Sequence, residues 1–149
     1  TDTPAGSIDE TVSLVVDQIN TGDYLALCAY IDAHPRFINT LSDIRRGITS
    51  RGITPTLGFG PRYLHSTGQL HKGDSGNGIF IQLTSESQLD IPIPDCAGEE
   101  VSSLSFGVLL EAQALGDRQA LLDAGRRVLR INLGTDPVAG LNRLTVNIS

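Results

Sequence analysis

The strand–helix–strand order of this chain is clearest in residues 53–83, which read ITPTLGFGPRYLHSTGQLHKGDSGNGIFIQL. Two apolar runs, 53–59 and 78–83, predict strands. Between them, Gly60-Pro61 is typical of a helix entrance, because proline suits the first helical position and has no amide to leave unpaired. A strand, a helix and a second strand in succession predict two parallel strands joined by a crossover helix.

The same alternation continues on both sides of this stretch. The pattern predicts helices over 7–19, 35–48, 104–115 and 117–125, a strand over 127–133, and a short last helix opened by Asp136-Pro137. Residues 24–31, YLALCAYI, are almost wholly apolar, and a buried strand cannot be told there from a buried helix. The resulting prediction is one α/β domain over residues 1–149, in which helices cover both faces of a parallel sheet.

Three of the predicted helices have a stripe that should face the core. The first begins with the capping box Ser7 to Glu10, and the third is followed by Gly116-Asp117, which we expect to break the chain into two helices with Asp117 as a cap. Residues 84–102 predict a long loop. The inward residues are expected to be Ile8, Val12, Val15, Val16 and Ile19; Phe37, Ile38, Leu41 and Ile44; and Leu104, Val108, Ala112 and Leu115.

Composition favours a compact intracellular protein. A chain of 149 residues with 40% apolar content can form one core. Its net charge of −6 argues against a nucleic-acid partner, since phosphate contacts need clustered basic residues. The sequence has no apolar run of membrane-spanning length and no signal-peptide pattern, which favours the cytoplasm over a membrane. Cys28 and Cys96 are isolated, so we expect free thiols.

A dense group of proton-transferring and anion-binding side chains lies between Pro61 and Gly73. It includes Lys72, the only lysine, with ten arginines as the other basic residues. If one helix runs to Lys72, then His65, Gln69 and Lys72 share a face and His71 points away. Imidazole, amide and ammonium groups on one face could bind an oxygen-rich anion and move a proton on it. Gly68 would weaken this helix, which predicts a bend or a close backbone approach.

Several blocks of the chain together resemble the phosphoglucose isomerase family. They are TLGFGPRYLHSTGQLHKG, GIFIQLT, DIPIP and SFGVLLEAQALGDRQALLDAGRRVLRINLG, and they cover roughly residues 22–134 in the order expected for that family. The likeness is greatest to the C-terminal sugar isomerase (SIS) domain of bacterial proteins in which this enzyme is fused to transaldolase. It favours a parallel strand at 24–31 and a SIS-like, Rossmann-like fold. It also implies that the chain is the C-terminal part of a longer protein.

The resemblance implies isomerisation of glucose 6-phosphate and fructose 6-phosphate, a step of glycolysis and gluconeogenesis, through ring opening and a cis-enediol. No metal or other cofactor is implied. His65 matches the family's catalytic histidine, and imidazole suits proton transfer at the ring oxygen. Ser66, Thr67, Gln69 and Lys72 are expected to bind the phosphorylated sugar. Because the family's histidine reaches a neighbouring subunit's site, a homodimer with a shared active site is implied, with a first SIS domain or a fused transaldolase as further partners.

Two departures from the family leave an alternative open. The family's C1–C2 base is a glutamate about thirty residues before the histidine, whereas residues 22–60 contain no glutamate and Asp43 is the nearest candidate by position. The family's Ser/Thr-rich phosphate loop has no counterpart here. The alternative is therefore a non-catalytic sugar-phosphate-binding or dimerisation domain that lacks the base.

Three other functions are weaker interpretations. Gly73-Asp-Ser-Gly76 matches the nucleophile loop of trypsin-like proteases, but a turn leading into a strand explains it better. Lys72 could form a Schiff base only if it were desolvated. His65 and His71 are six residues apart and have no third ligand nearby for a metal.

Overall fold

A parallel sheet of five strands lies between two layers of helices in the computed structural model, which describes residues 2–3, 12, 15, 17–86 and 89–148. The strands of this sheet are β1 (Asp2–Thr3), β2 (Tyr24–Tyr30), β3 (Thr54–Phe59), β4 (Gly78–Thr84) and β7 (Arg127–Asn132), in the order β1-β7-β4-β2-β3. A separate antiparallel pair is formed by β5 (Pro92–Ile93) and β6 (Leu104–Ser105). The predicted α/β fold with a parallel sheet is confirmed.

Four helices and one short 3-10 helix complete the described chain. They are α1 (Pro35–Ser50), the 3-10 helix Arg62–His65, α2 (Thr67–Lys72), α3 (Phe106–Asp123) and α4 (Pro137–Ile148). The helices α1, α3 and α4 begin at side-chain caps, which satisfy amides that the first turn leaves free. His34 Nδ1 accepts from the Arg36 amide, Ser105 Oγ from Val108, and Asp136 Oδ1 from Val138 and Ala139.

The period-2 alternation of the central strands produces two cores. Leu25, Leu27 and Ala29 of β2 face a cluster that includes Leu41, Ile44 and Ile48 of α1 and Leu141 and Leu144 of α4. Ala26, Cys28 and Tyr30 face the other cluster, with Tyr63 from the 3-10 helix and Ala114 and Leu121 from α3. Both faces of β2 and β4 are therefore covered, which explains why their sequences are apolar runs rather than alternating ones.

The strand order places a topological switch point between β2 and β4. From the carboxyl end of β2 the chain passes through α1 to β3, over the face that holds the first cluster. From the carboxyl end of β4 it passes through α3 to β7, over the opposite face and toward the opposite edge. Ligands of open parallel sheets bind in the crevice that such a divergence leaves.

The prediction of two helices over 104–125 was wrong, because α3 runs unbroken from Phe106 to Asp123. A single glycine costs a helix only about 1 kcal/mol, so Gly116 does not end it. Asp117 is accordingly not a cap but a buried residue of the inward face, with Ala114 and Leu121.

The inward stripe of α3 was also assigned to the wrong face. Val108 is 57% exposed and Leu115 45% exposed, and Leu104 and Ala112 are exposed as well. Both faces of this helix carry apolar residues, so periodicity alone does not distinguish them. In α1, Leu41 and Ile44 are buried as expected and Phe37 is half-buried, whereas Ile38 is 38% exposed.

The remaining expectations are either largely confirmed or fall on residues outside the described part of the chain. Of the predicted loop over 84–102, Thr84 instead ends β4, and the described residues after it are loop apart from β5. Cys28 and Cys96 are free thiols, the first buried and the second exposed. The predicted first helix, with its box Ser7 to Glu10, lies mostly outside the described residues; of its stripe, Val12 is buried and Val15 and Ile19 pack against the first cluster. Within the described chain, none of the helices is both long enough and apolar enough to span a bilayer.

Candidate functional site

A cavity of about 660 Å³ opens at the carboxyl edge of the sheet, at the switch point between β2 and β4. Three strands end at its floor, with Tyr30 from β2, Thr84 from β4 and Asn132 from β7. The beginning of α3 forms one wall. A cavity of this size, at this place in a parallel sheet, is typical of a small-molecule site.

The charges around the cavity are mainly negative. Its lining includes four carboxylates, Asp32, Glu86, Asp90 and Glu111, and one guanidinium, Arg130. Arg130 is only 9% exposed and its Nη2 donates to both oxygens of Glu111, at 2.5 and 2.7 Å. The single cation is therefore neutralised, and the cavity favours hydroxyl or cationic groups over a phosphate.

Asp90 occupies the position at the start of α3 where an anion would otherwise bind. Its Oδ2 accepts from the Ser105 hydroxyl at 2.5 Å and its Oδ1 from the Gly107 amide at 2.7 Å. These hydrogen bonds lower the pKa of Asp90, with the Ser105 hydroxyl contributing most. The first turn of α3 thus has an internal anion, and a ligand phosphate would have to displace it.

The HSTGQLHKG segment is not one helix. The peptide bond between Gly60 and Pro61 is cis, the 3-10 helix ends at His65, and Ser66 has φ −136° and ψ −104° before α2 begins at Thr67. The prediction of a continuous helix to Lys72 was wrong, and with it the single face of His65, Gln69 and Lys72 at i, i+4 and i+7. His71, which was expected only to point away from that face, is buried, at 7% exposure.

The side chains predicted to bind or transform a sugar lie in different environments, and none lines the cavity. His65 and Thr67 are exposed. Ser66 Oγ donates to the Tyr63 carbonyl at 3.3 Å, and Gln69 Nε2 donates to the Leu64 carbonyl at 2.9 Å. Both contacts hold the segment to itself, while His65 and Thr67 stay exposed.

Lys72 lies at the opposite edge of the sheet from the cavity. Its backbone carbonyl accepts from Arg126, just before β7 begins, and the next residues reach Tyr24 at the start of β2 through Asp74. A seven-residue strand such as β2 is about 20 Å long, so the backbone of Lys72 is a long way from the carboxyl edge. The ammonium of Lys72 is 3.5 Å from Asp117 Oδ1.

Asp43, the candidate base, is on the wrong face to act with His65 in one chain. It lies on α1, is exposed, and forms an ion pair with Arg46 one turn away. α1 packs on the face of the first cluster, whereas the 3-10 helix that carries His65 packs on the face of the second through Tyr63.

Sequence reasoning missed a buried polar cluster between the 3-10 helix, α2 and α3. Tyr63 Oη donates to Asp117 Oδ2 at 2.5 Å and is 3.5 Å from Tyr30 Oη. Burial raises the pKa of Tyr63 and Tyr30, and it raises the pKa of Cys28 beside them to about 12. All three therefore stay protonated at neutral pH.

His71 lies against the same cluster, among aromatic rings. Its ring centroid is 5.1 Å from that of Phe80 and 6.1 Å from those of Tyr24 and Tyr63, and Nδ1 has no hydrogen-bond partner among the described residues. Burial lowers its pKa, against the opposing effect of Asp117 and Asp74. The buried imidazole packs among these rings and belongs to no group of candidate metal ligands in the described part of the chain.

The alternative sites suggested by short motifs have ordinary structural explanations. Gly73 to Asn77 form the turn that leads into β4, with Ser75 Oγ donating to Asn77 Oδ1. Asp74 is held by Tyr24 and Arg126 at the amino edge of the sheet. Among the described residues no three His, Cys, Asp or Glu side chains are grouped as a metal site requires.

Comparison with known proteins supports the fold. No family model matches the chain, and no curated protein is significantly similar to it. Among solved structures, the chain is similar to a hypothetical protein of Thermus thermophilus, with a TM-score of 0.75 and 20% sequence identity. The match covers 98% of this chain and 39% of that one, so this chain spans well under half the length of its structural neighbour.

Proposed function

We propose that this chain contributes one part of an aldose–ketose isomerase for phosphorylated sugars, interconverting glucose 6-phosphate and fructose 6-phosphate. The observation that supports the proposal most is the exposed position of His65 on an anchored segment. The HSTGQL motif places this imidazole at the surface, on a short segment that is anchored beneath by Tyr63, whose side chain is 5% exposed. An exposed imidazole on a fixed support can exchange protons with a ligand bound by another chain.

The position of His65 favours a site shared between subunits or domains. His65 does not line the cavity of its own chain, and that cavity is unsuited to a phosphate because its carboxylates outnumber its one, paired, guanidinium. The phosphate of the substrate would therefore be held by a second subunit or by a further domain. A homodimer, or a first SIS domain elsewhere in a longer cytoplasmic protein, would supply that half of the site.

The second candidate is a non-catalytic sugar-phosphate-binding or dimerisation domain. It is favoured by one observation, the location of Asp43 on the opposite face of the sheet from His65. Residues 22–60, where the family's C1–C2 base would lie, contain no glutamate. In this candidate the chain would bind without moving a proton.

The test is the conversion of fructose 6-phosphate to glucose 6-phosphate by the wild type, His65→Ala and His34→Asn. His34 is the matched control, since it is a second exposed histidine and asparagine retains an acceptor for the Arg36 amide. We expect His65→Ala to lose the activity and His34→Asn to keep it. Conversion that survives in His65→Ala would contradict the role of His65. Binding of fructose 6-phosphate without conversion, seen by NMR titration, would favour the second candidate.

A further inference from the structure

Asp117 is a buried carboxylate in the middle of α3, and its side chain is 1% exposed. A carboxylate at such a position is costly unless charged or hydrogen-bonding groups surround it. The two groups that meet its oxygens are the hydroxyl of Tyr63, at 2.5 Å, and the ammonium of Lys72, at 3.5 Å.

Both partners of Asp117 belong to the segment that carries His65. Tyr63 precedes His65 by two residues and Lys72 follows it by seven, so the two contacts lie on either side of the imidazole. Each contact uses a different oxygen of the same carboxylate. One side chain of α3 thus joins both ends of a segment that contains the abrupt turn at Ser66.

Packing around Tyr63 leaves the segment little freedom to choose another position. A Cβ added to Gly58 would meet Tyr63 Cβ and Cγ at 2.9 Å. A Cβ added to Gly68 would meet the Tyr63 carbonyl oxygen at 3.0 Å and the ring at 3.2 Å. The glycine of the HSTGQ motif therefore admits the Tyr63 ring, which explains the close backbone approach that its place in the motif predicts.

We propose that Asp117 is a positioning residue, which fixes the short segment that carries His65 by holding Tyr63 and Lys72 at its two ends. This inference rests on the proposed function for the role of His65. It also gives the only lysine a different task. Lys72 serves as the counter-charge of Asp117 at the amino edge of the sheet, rather than as a ligand of the substrate phosphate.

The inference is tested by hydrogen exchange and kinetics on the same set of variants. Asp117→Asn keeps an acceptor near Tyr63 but removes the charge that Lys72 faces, and Tyr63→Phe removes only the hydroxyl. Leu121→Ala is the matched control, because Leu121 lies one turn along the same face of α3, packs in the same cluster and makes no polar contact with the segment.

We expect amide exchange within residues 62–72 to be at least tenfold faster, relative to amides of β4, in Asp117→Asn and Tyr63→Phe. In Leu121→Ala this ratio should stay as in the wild type, because the whole structure is destabilised together. An unchanged ratio in Asp117→Asn and Tyr63→Phe would overturn the inference. The rate of amide exchange does not depend on turnover. A wild type without isomerase activity would therefore refute the proposed function, while the amide-exchange ratio would still decide whether Asp117 holds the segment.

Lys72 variants separate positioning from phosphate binding. We expect Lys72→Met to lower kcat about tenfold with KM within twofold of the wild type, and Lys72→Arg to restore kcat, since arginine keeps a cation for Asp117. A large rise in KM for Lys72→Met with unchanged kcat would show that the ammonium binds substrate, and would overturn the assignment.

Discussion

The same substitution at two helical glycines should have different effects on stability. Gly116 lies in the exposed part of α3, and a Cβ there would meet no atom within 4 Å. Gly68 lies in α2, is buried, and its Cβ would meet the Tyr63 carbonyl oxygen at 3.0 Å and ring carbons at 3.2 and 3.3 Å. The two sites therefore differ mainly in what the added methyl contacts.

The magnitudes follow from helix propensity and packing. Alanine in place of glycine in a helix interior stabilises by about 1 kcal/mol, so Gly116→Ala should raise the free energy of unfolding by about that much. At Gly68 the same gain is opposed by overpacking, which costs typically about 1–3 kcal/mol. Gly68→Ala should therefore be less stable than Gly116→Ala by about 1–3 kcal/mol.

Urea unfolding of the wild type and both variants measures this difference, with equal m-values required for the comparison. Gly73→Ala is a further control, because its Cβ would lie 3.7 Å from the Gln69 carbonyl oxygen, an ordinary contact. If Gly68→Ala proved as stable as Gly116→Ala, then Tyr63 would not be held tightly against the motif, and the account of the His65 segment would be refuted.

Three further predictions concern other parts of the structure. Because burial lowers the folded-state pKa of His71, the unfolded chain takes up a proton at a higher pH than the folded chain does. The free energy of unfolding should therefore be greatest above about pH 6.5 and fall below it by up to about 1.4 kcal/mol per pH unit, and His71→Phe should flatten this slope in urea titrations between pH 5 and 7. Leu115→Gln should change the free energy of unfolding by less than about 0.5 kcal/mol because Leu115 is 45% exposed, whereas Leu121→Ala should lower it by about 2–5 kcal/mol because Leu121 is buried. Similar losses in the two variants would show that Leu121 is not on the inner face of α3. A thiol reagent at pH 8 should label Cys96 promptly and Cys28 only on unfolding, since Cys28 is buried with its pKa raised to about 12; one reactive thiol in the native state is expected, and two would contradict the packing of β2.

Strands β2, β3, β4 and β7 could be predicted from the sequence because each is a short, mainly apolar run, whereas the two-residue strand β1 has no such pattern. The run GIFIQLT is buried at every residue of β4, which matches the apolar pattern that a doubly covered strand requires. The Asp136-Pro137 start of α4 and the Pro35 start of α1 depend on local chemistry, so they could be predicted as well.

The inner face of α3 could not be assigned because the helix is apolar on both sides. The residues 110, 114, 117 and 121 follow the helical period, but residue 117 is an aspartate. Its neighbours in the sequence suggest that it caps a helix. Only its distant partners, Tyr63 and Lys72, explain why Asp117 is buried. Contacts between residues 45 or more apart in the chain leave no periodic signal.

The candidate site was predictable in its residues but not in their arrangement. The motif identified His65 and Gly68, yet the turn at Ser66 divides the expected helix into a 3-10 helix and α2. The cavity at the carboxyl edge is assembled from the ends of three strands and the start of α3, which the linear sequence does not bring together. Its acidic character could have been noticed only once those ends were known to meet.

The most direct test of the central claim is the exchange of the C2 proton of glucose 6-phosphate with solvent in D2O, followed by proton NMR. In an enediol mechanism the base that takes the C2 proton can exchange it with solvent before returning it to carbon. We expect the wild-type protein to convert the sugar with exchange of the C2 proton, and His65→Ala to do neither. A wild type that neither exchanges the proton nor converts the sugar, or exchange that persists in His65→Ala, would contradict the claim that His65 serves a sugar isomerase.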